Sequence, residues 1–158
     1  MNRGWRWASV LLFCAVLAAC SGGPVRRVSP PAASIQQLTV NADGSWSVDL
    51  RLQNYSSIPM RFDSADLAIT VGDQAAGSLK GAPQISIGPE SADVITLPFK
   101  PTVEARMQIA DALAGRRSLG YALKGTLQAV PDEGKSKSFD IDVRNTLNPV
   151  PGLDGVLR

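Results

Sequence analysis

Few residues in this chain can do chemistry. None of its 158 residues is a histidine, so the commonest general base and the commonest transition-metal ligand are both missing. Serines are plentiful, but a serine nucleophile needs a base beside it. The one candidate arrangement, Ser136-Lys137-Ser138, lies in a polar stretch that reads as a hairpin loop. Close carboxylates could serve glycoside hydrolysis or calcium binding, and they occur at Asp63/Asp66 and Asp140/Asp142. Asp140 and Asp142 share the polar face of a strand, where solvated charge is the simpler reading and calcium would need oxygen ligands from elsewhere. The expectation is no catalytic residue, no metal and no cofactor. What remains are two thiols in the most apolar run of the sequence, VLLFCAVLAACSGG: Cys14 within it and Cys20 near its end.

The elements around Cys20 give that thiol a purpose. Arg3 and Arg6 precede the run, the apolar core spans Ala8 to Ala19, and small residues lead into the cysteine. About a dozen apolar residues are too few to cross a bilayer, which takes roughly 20. The order basic, apolar, small is that of a secretory signal. Leu17-Ala18-Ala19-Cys20 resembles the bacterial lipobox. That resemblance implies cleavage before Cys20, diacylation of its thiol and acylation of the new amine. Ser21, in place of an aspartate, resembles the outer-membrane default of Gram-negative sorting. The expected organisation is a removed signal over 1–19, then a lipidated Cys20 and tether over 20–34. The tether reads SGGPVRRVSPPAAS and has no apolar period. Its Arg26-Arg27 pair reads as solvated linker charge, close enough to the anchor to touch anionic headgroups.

Removing the signal changes the bulk reading. The chain has 16 basic and 14 acidic residues; without Arg3 and Arg6 the balance is 14 against 14, which is no nucleic-acid footprint. Cys14 leaves with the signal, so the mature chain can form no internal disulfide and must be held by its core.

That core is written in period two. Trp46, Val48, Leu50 and Leu52 alternate with Ser47, Asp49, Arg51 and Gln53, the pattern of a half-buried strand. Ile35, Leu38 and Val40 precede it across the turn Asn41-Ala42-Asp43-Gly44. The stretch Asn54-Tyr55-Ser56-Ser57-Ile58-Pro59 breaks the alternation, because proline cannot donate to a ladder. Asn54 suits such a bend, since its side chain can bond nearby backbone. Alternation resumes at Met60 and Phe62, Leu67, Ile69 and Val71 then share one face, and short strands follow around Ala75–Lys80, Ile85–Ile87, Val94–Phe99, Tyr121–Ala129 and Phe139–Val143. One segment has period 3.6. Thr102 is its expected N-cap, Val103, Met107, Ala110 and Leu113/Ala114 its apolar stripe, and Gly115 its C′ residue. About seven strands and one amphipathic helix predict a mainly β, two-sheet sandwich over 35–146, with the helix over one open end. An irregular tail is expected over 147–158.

The succession of pieces resembles the LEA type 2 or WHy (water stress and hypersensitive response) domain. That family follows an alternating strand with a bend written roughly N-P-N-x-x-P-L. Asn54, Pro59 and Met60 match its first Asn, its Pro and its apolar residue, while Tyr55 and Ser56 depart from the P-N pair. Its Tyr-x-x-x-Gly strand matches Tyr121-Ala122-Leu123-Lys124-Gly125. The resemblance runs from about Ile35 to Val143. It implies a fibronectin-III-like sandwich, no catalysis and a protective role under water stress. The expected partners are the membrane through Cys20 and envelope proteins or lipids; lipid handling or envelope assembly is the alternative role.

Overall fold

The computed structural model describes residues 26–132 and 134–158. Nine strands and one helix follow in order. They are β1 (Ala32–Val40), β2 (Trp46–Gln53), β3 (Met60–Val71), β4 (Gln74–Gly81), β5 (Ile85–Ile87), β6 (Ala92–Phe99), helix α1 (Val103–Ala114), β7 (Leu119–Pro131), β8 (Lys137–Leu147) and β9 (Val156–Leu157). All pairings are antiparallel. One sheet has the order β6-β2-β1-β9. The other has β4-β3-β7-β8, with β5 beside β4 on the same edge of β3. This is the two-sheet, mainly β sandwich that the alternation and the family resemblance predict.

Burial follows the period-two pattern. Leu38, Val48, Leu50 and Leu52 from one sheet meet Phe62, Leu67, Leu123 and Leu127 from the other, all with essentially no exposure. Excluding that apolar surface from water is the main stabilising term, since each such side chain contributes about 1.5–3 kcal/mol when fully buried. Trp46 is also fully buried, its ring centroid 5.6 Å from that of Phe99.

Three register shifts adjust the period, one of them between β3 and β4, where Ala76 is the extra residue. Within β3 the buried residues switch from Met60 and Phe62 to Ala65, Leu67, Ile69 and Val71. The switch falls where the β3–β7 register shifts, between Phe62 and Ser64. One extra residue changes the parity of every side chain beyond it. Another shift interrupts β1 between Ile35 and Gln37.

Strand pairing extends past both expected edges of the domain. β1 begins at Ala32, inside the stretch expected to be tether, with Ala32 opposite Gln53. The tail is not irregular throughout: Val156 and Leu157 pair with Thr39 and Leu38, and the Pro149–Leu157 bridge folds the tail back on itself. Fully buried Leu157 is the reason the end is drawn in.

The helix departs from its expected orientation. Ala105, Ile109 and Ala112 face the core, whereas Val103 and Met107 are 56% and 67% exposed. The inward face is also spaced i, i+4, i+7, and its two alanines let the helix axis approach the sheet closely. Thr102 caps the N-terminus, accepting from the Ala105 N–H at 3.3 Å, and its hydroxyl donates to the Ala75 carbonyl at 2.8 Å. At the other end Gly115 is the C-cap in a right-handed conformation, and Arg116, with φ of +49°, occupies the left-handed C′ position expected for Gly115. The Arg117 N–H to the Ala112 carbonyl and the Arg116 N–H to the Leu113 carbonyl complete a Schellman motif. No helix among the described residues is long and apolar enough to cross a membrane.

Candidate functional site

Two ends of the sandwich carry its irregular features. β2 runs from Trp46, beside the Phe99 that leads into α1, to Gln53 opposite Ala92. The helix therefore sits at one end, and the bend after Gln53 at the other.

The bend is built around Asn54, which has no exposed surface. Its carboxamide oxygen accepts from the Ser56 N–H at 2.8 Å. Its amide group donates to three carbonyls: Ile58 at 2.9 Å, Ile87 at 3.1 Å and Gly88 at 2.9 Å. Its own N–H donates to the Ser91 carbonyl at 2.8 Å. One side chain thus ties the β2–β3 crossover, which changes sheets, to the loop between β5 and β6, which also changes sheets. An apolar replacement would strand several buried carbonyls at once, each costing about 1–3 kcal/mol when unpaired.

The same bend grips the incoming chain. Ser56, also fully buried, accepts at its hydroxyl from the Ser29 N–H at 2.9 Å and donates back to the Ser29 carbonyl at 3.2 Å. Two residues earlier in the incoming chain, the Arg27 N–H donates to the Ser57 hydroxyl at 2.8 Å, and the Ser57 N–H to the Arg27 carbonyl at 3.0 Å. Serine hydroxyls here stand in for the second strand of a ladder. The Arg27 guanidinium donates to the Tyr55 carbonyl and to Glu90, both within 3.3 Å. Glu90 is placed for this by a left-handed turn, φ +49°, in which its N–H donates to the Ser56 carbonyl. Arg27 is therefore not a solvated linker charge, although as an exposed ion pair it contributes little by itself. The signal that could have found this contact was the run of two serines in the bend, whose hydroxyls can both donate and accept.

Cys20, the motif residues Leu17, Ala18 and Ala19, and Ser21 lie outside the described residues. Six residues, Ser21 to Arg26, separate the thiol-bearing Cys20 from the clamped Arg27. Whatever their conformation, the chain from Cys20 to Arg27 spans at most about 25 Å.

Elsewhere the chemistry is sparse. Asp140 and Asp142 point to solvent from β8, and Asp142 faces Lys124 at 3.8 Å. Asp66 bonds to Lys80 and Ser78, and these two partners hold its carboxyl below the usual range. Among the described residues no three carboxylates or thiols come close enough to hold a metal ion. A cleft of about 590 Å³ lies over the outer face of β7 and β8, lined by Thr70, Ala122, Lys124, Asp142 and Arg144. Another of about 340 Å³ lies beside Pro59 and Pro131. Neither is lined by the inter-sheet residues Leu38, Leu50, Leu67 or Leu127.

A buried asparagine that joins two crossovers, at the end of an alternating strand, is placed where the sequence resemblance would have it. The model of the late embryogenesis abundant protein family, LEA_2, matches residues 49–145, more than half of the chain. The chain belongs to that family. Among solved structures, the LEA_2 sandwich is similar to the solution structure of an Arabidopsis thaliana protein, with a TM-score of 0.50 at 12% identity over 85% of this chain and 87% of that one. A solution structure assigned to the late embryogenesis abundant proteins gives 0.48 at 15% identity over 92% and 87%. The ApaA protein of Bordetella pertussis gives 0.48 at 15% identity over 82% and 100%. None of the curated protein sequences matches.

The other family-motif residues of this LEA_2 chain do architectural work. Pro59 precedes β3, and its carbonyl accepts from the Asp132 N–H at 2.9 Å, tying the bend to the β7–β8 hairpin. The Tyr121 hydroxyl crosses from one sheet to the other and accepts from the Ile35 N–H at 3.0 Å. That N–H sits at the β1 bulge, where the ladder loses its register. Burial pushes the Tyr121 phenol above its ordinary range, partly opposed by the bonds from Ile35 and Asn145. Gly125 lies opposite Leu67. A Cβ there would come within 3.0 Å of the Leu67 Cα and collide outright with the Asp66 carbonyl, so glycine is required by the closeness of two backbones.

Proposed function

We propose that this LEA_2 chain is a non-catalytic envelope lipoprotein, held through Cys20 in the outer membrane and facing the periplasm. Its sandwich protects or bridges neighbouring envelope proteins when water is withdrawn. The observation that carries this reading is the family match over residues 49–145, since the family's assigned role is stress-related and non-catalytic. The clamp of Arg27 and Ser29 on Ser57 and Ser56 adds a geometry. With at most about 25 Å of chain between lipid and clamp, the Asn54 end lies toward the bilayer and the helix end points outward. The equal count of acidic and basic residues from Cys20 onward suits contact with many surfaces.

Lipid carriage between the sheets is the weaker alternative. The inter-sheet space is occupied by fully buried leucines, and the two clefts, over β7 and β8 and beside Pro59 and Pro131, are not lined by them. Two experiments test the proposal. In cells fed radiolabelled palmitate, the full chain is expected to take up label and a Cys20→Ala variant to take up none; label in both, or in neither, removes the anchor. For protection, a labile enzyme dried with the full chain should recover more activity than one dried with an equal mass of albumin. Equal recovery removes the protective role.

A further inference from the structure

Helix α1 has two apolar faces. Ala105, Ile109 and Ala112 are spent on the core. On the opposite side Val103, Met107, Ala110 and Ala114 are all exposed, and at 67% Met107 is the most exposed large apolar side chain among the described residues. Their spacing of four, three and four residues is that of successive d, a, d and a positions in a helix–helix seam. In that register Glu104 and Asp111 stand at e, and Arg106 stands at g.

We propose that this stripe docks a second copy of the chain, helix against parallel helix about a two-fold axis. Charge selects both the occupant and the direction. In a parallel pair a g residue faces the e residue five positions further along the other helix. Arg106 of one copy then meets Asp111 of the other, twice by symmetry; that carboxylate also accepts from Arg117 of its own chain. In an antiparallel pair g faces g and e faces e, which sets Arg106 against Arg106 and acids against acids. Sterics permit the parallel arrangement, because the core-facing and outward stripes lie on opposite sides of the helix and the two sandwiches fall on either side of the seam. The helix is already held by Thr102, the Schellman motif and Ile109, so pairing does not have to order it. Twelve helical residues offer much less than the roughly 1,200 Å² of a standard interface. The association is therefore weak and reversible in solution, and gains from the high local concentration of copies held on one surface.

The test is sedimentation velocity of the full chain in density-matched detergent, over about a hundredfold range of concentration. The wild type is expected to shift reversibly from monomer to dimer. Met107→Glu is expected to weaken the dimer at least about tenfold, equivalent to roughly 1.4 kcal/mol. Arg106→Glu and Asp111→Arg should each weaken it, and the double variant should restore it. All three positions changed, Arg106, Met107 and Asp111, are exposed in the monomer, so unchanged thermal melts will show that the variants fold. A chain that stays monomeric throughout overturns the proposal, including the case in which its own Val10–Ala19 run covers the stripe. A dimer indifferent to Met107→Glu overturns it as well. Single charge reversals that strengthen association overturn the parallel register.

Discussion

The two ends of this sandwich invert the usual allocation of residues in opposite ways. At the bend end, polar side chains are fully buried: Asn54 and Ser56 have no exposed surface and spend their hydrogen-bonding groups on backbone from three segments, the bend itself, the end of β5 and the incoming chain. At the helix end, Val103 and Met107 stand in solvent. A buried polar group is tolerated only when paired, so the bend end is rigid by necessity and admits little substitution. An exposed apolar stripe costs the monomer little, so the helix end is free to be used for something other than folding. One end fixes where the incoming chain attaches, and the other is available for contact.

Four measurements on five substitutions test this contrast. Asn54→Ala should have the largest effect, about 4 kcal/mol of destabilisation, because it strands the Ile58, Ile87 and Gly88 carbonyls and the Ser56 N–H together. Urea unfolding measures it, and a loss under about 1 kcal/mol would mean that the bend end is not rigid in the sense argued.

The second prediction sets two neighbours on one helix against each other. Ile109→Ala should cost about 2–4 kcal/mol by opening a cavity, whereas Met107→Ala should stay within about 0.5 kcal/mol. Similar values at both positions would erase the distinction between the inward and outward stripes.

Tyr121→Phe comes third, at about 1–2 kcal/mol near neutral pH, since it leaves the Ile35 N–H without its acceptor. Its pH dependence has a definite sign. The folded phenol titrates above its ordinary value of about 10 because it is buried. Its stabilising contribution is complete below that value and is lost as pH rises through the folded pKa. The gap between wild type and variant in urea midpoints should therefore narrow above about pH 10.

The smallest effect has the opposite sign. Arg116→Gly should stabilise by about 1 kcal/mol, because glycine occupies the left-handed C′ position without the Cβ clash that arginine suffers there. A thermal melt shifted downward would refute that account of the helix terminus.

Much of the fold was legible in the chain. The strand Trp46–Gln53 is bounded by its own alternation, with turn chemistry at Asn41–Gly44 before it and Asn54 after it. Thr102 marked the start of the helix. The helix stripe was legible too, but its direction was not. Period 3.6 identifies two apolar faces at 103/107/110/114 and 105/109/112, and periodicity cannot say which of them meets a sheet. The grip of Ser56 and Ser57 on Arg27 and Ser29 was illegible for a different reason. It joins residues about 30 positions apart through groups that any loop carries, so the two serines signal a contact but not its partner.

By itself, then, the amino-acid sequence determined what is local: the two-residue period that makes strands, the caps and turns that end them, and the lack of a histidine. It also held the family pattern of Asn54, Pro59, Tyr121 and Gly125, though not the reason for each. Only the tertiary structure decided which face of the helix is inside, that Leu157 returns to pair with Leu38, and that the chain is seized seven residues after Cys20. These depend on which surfaces meet across long separations, where the loop-closure cost is met by burial and hydrogen bonds that no short stretch can form alone.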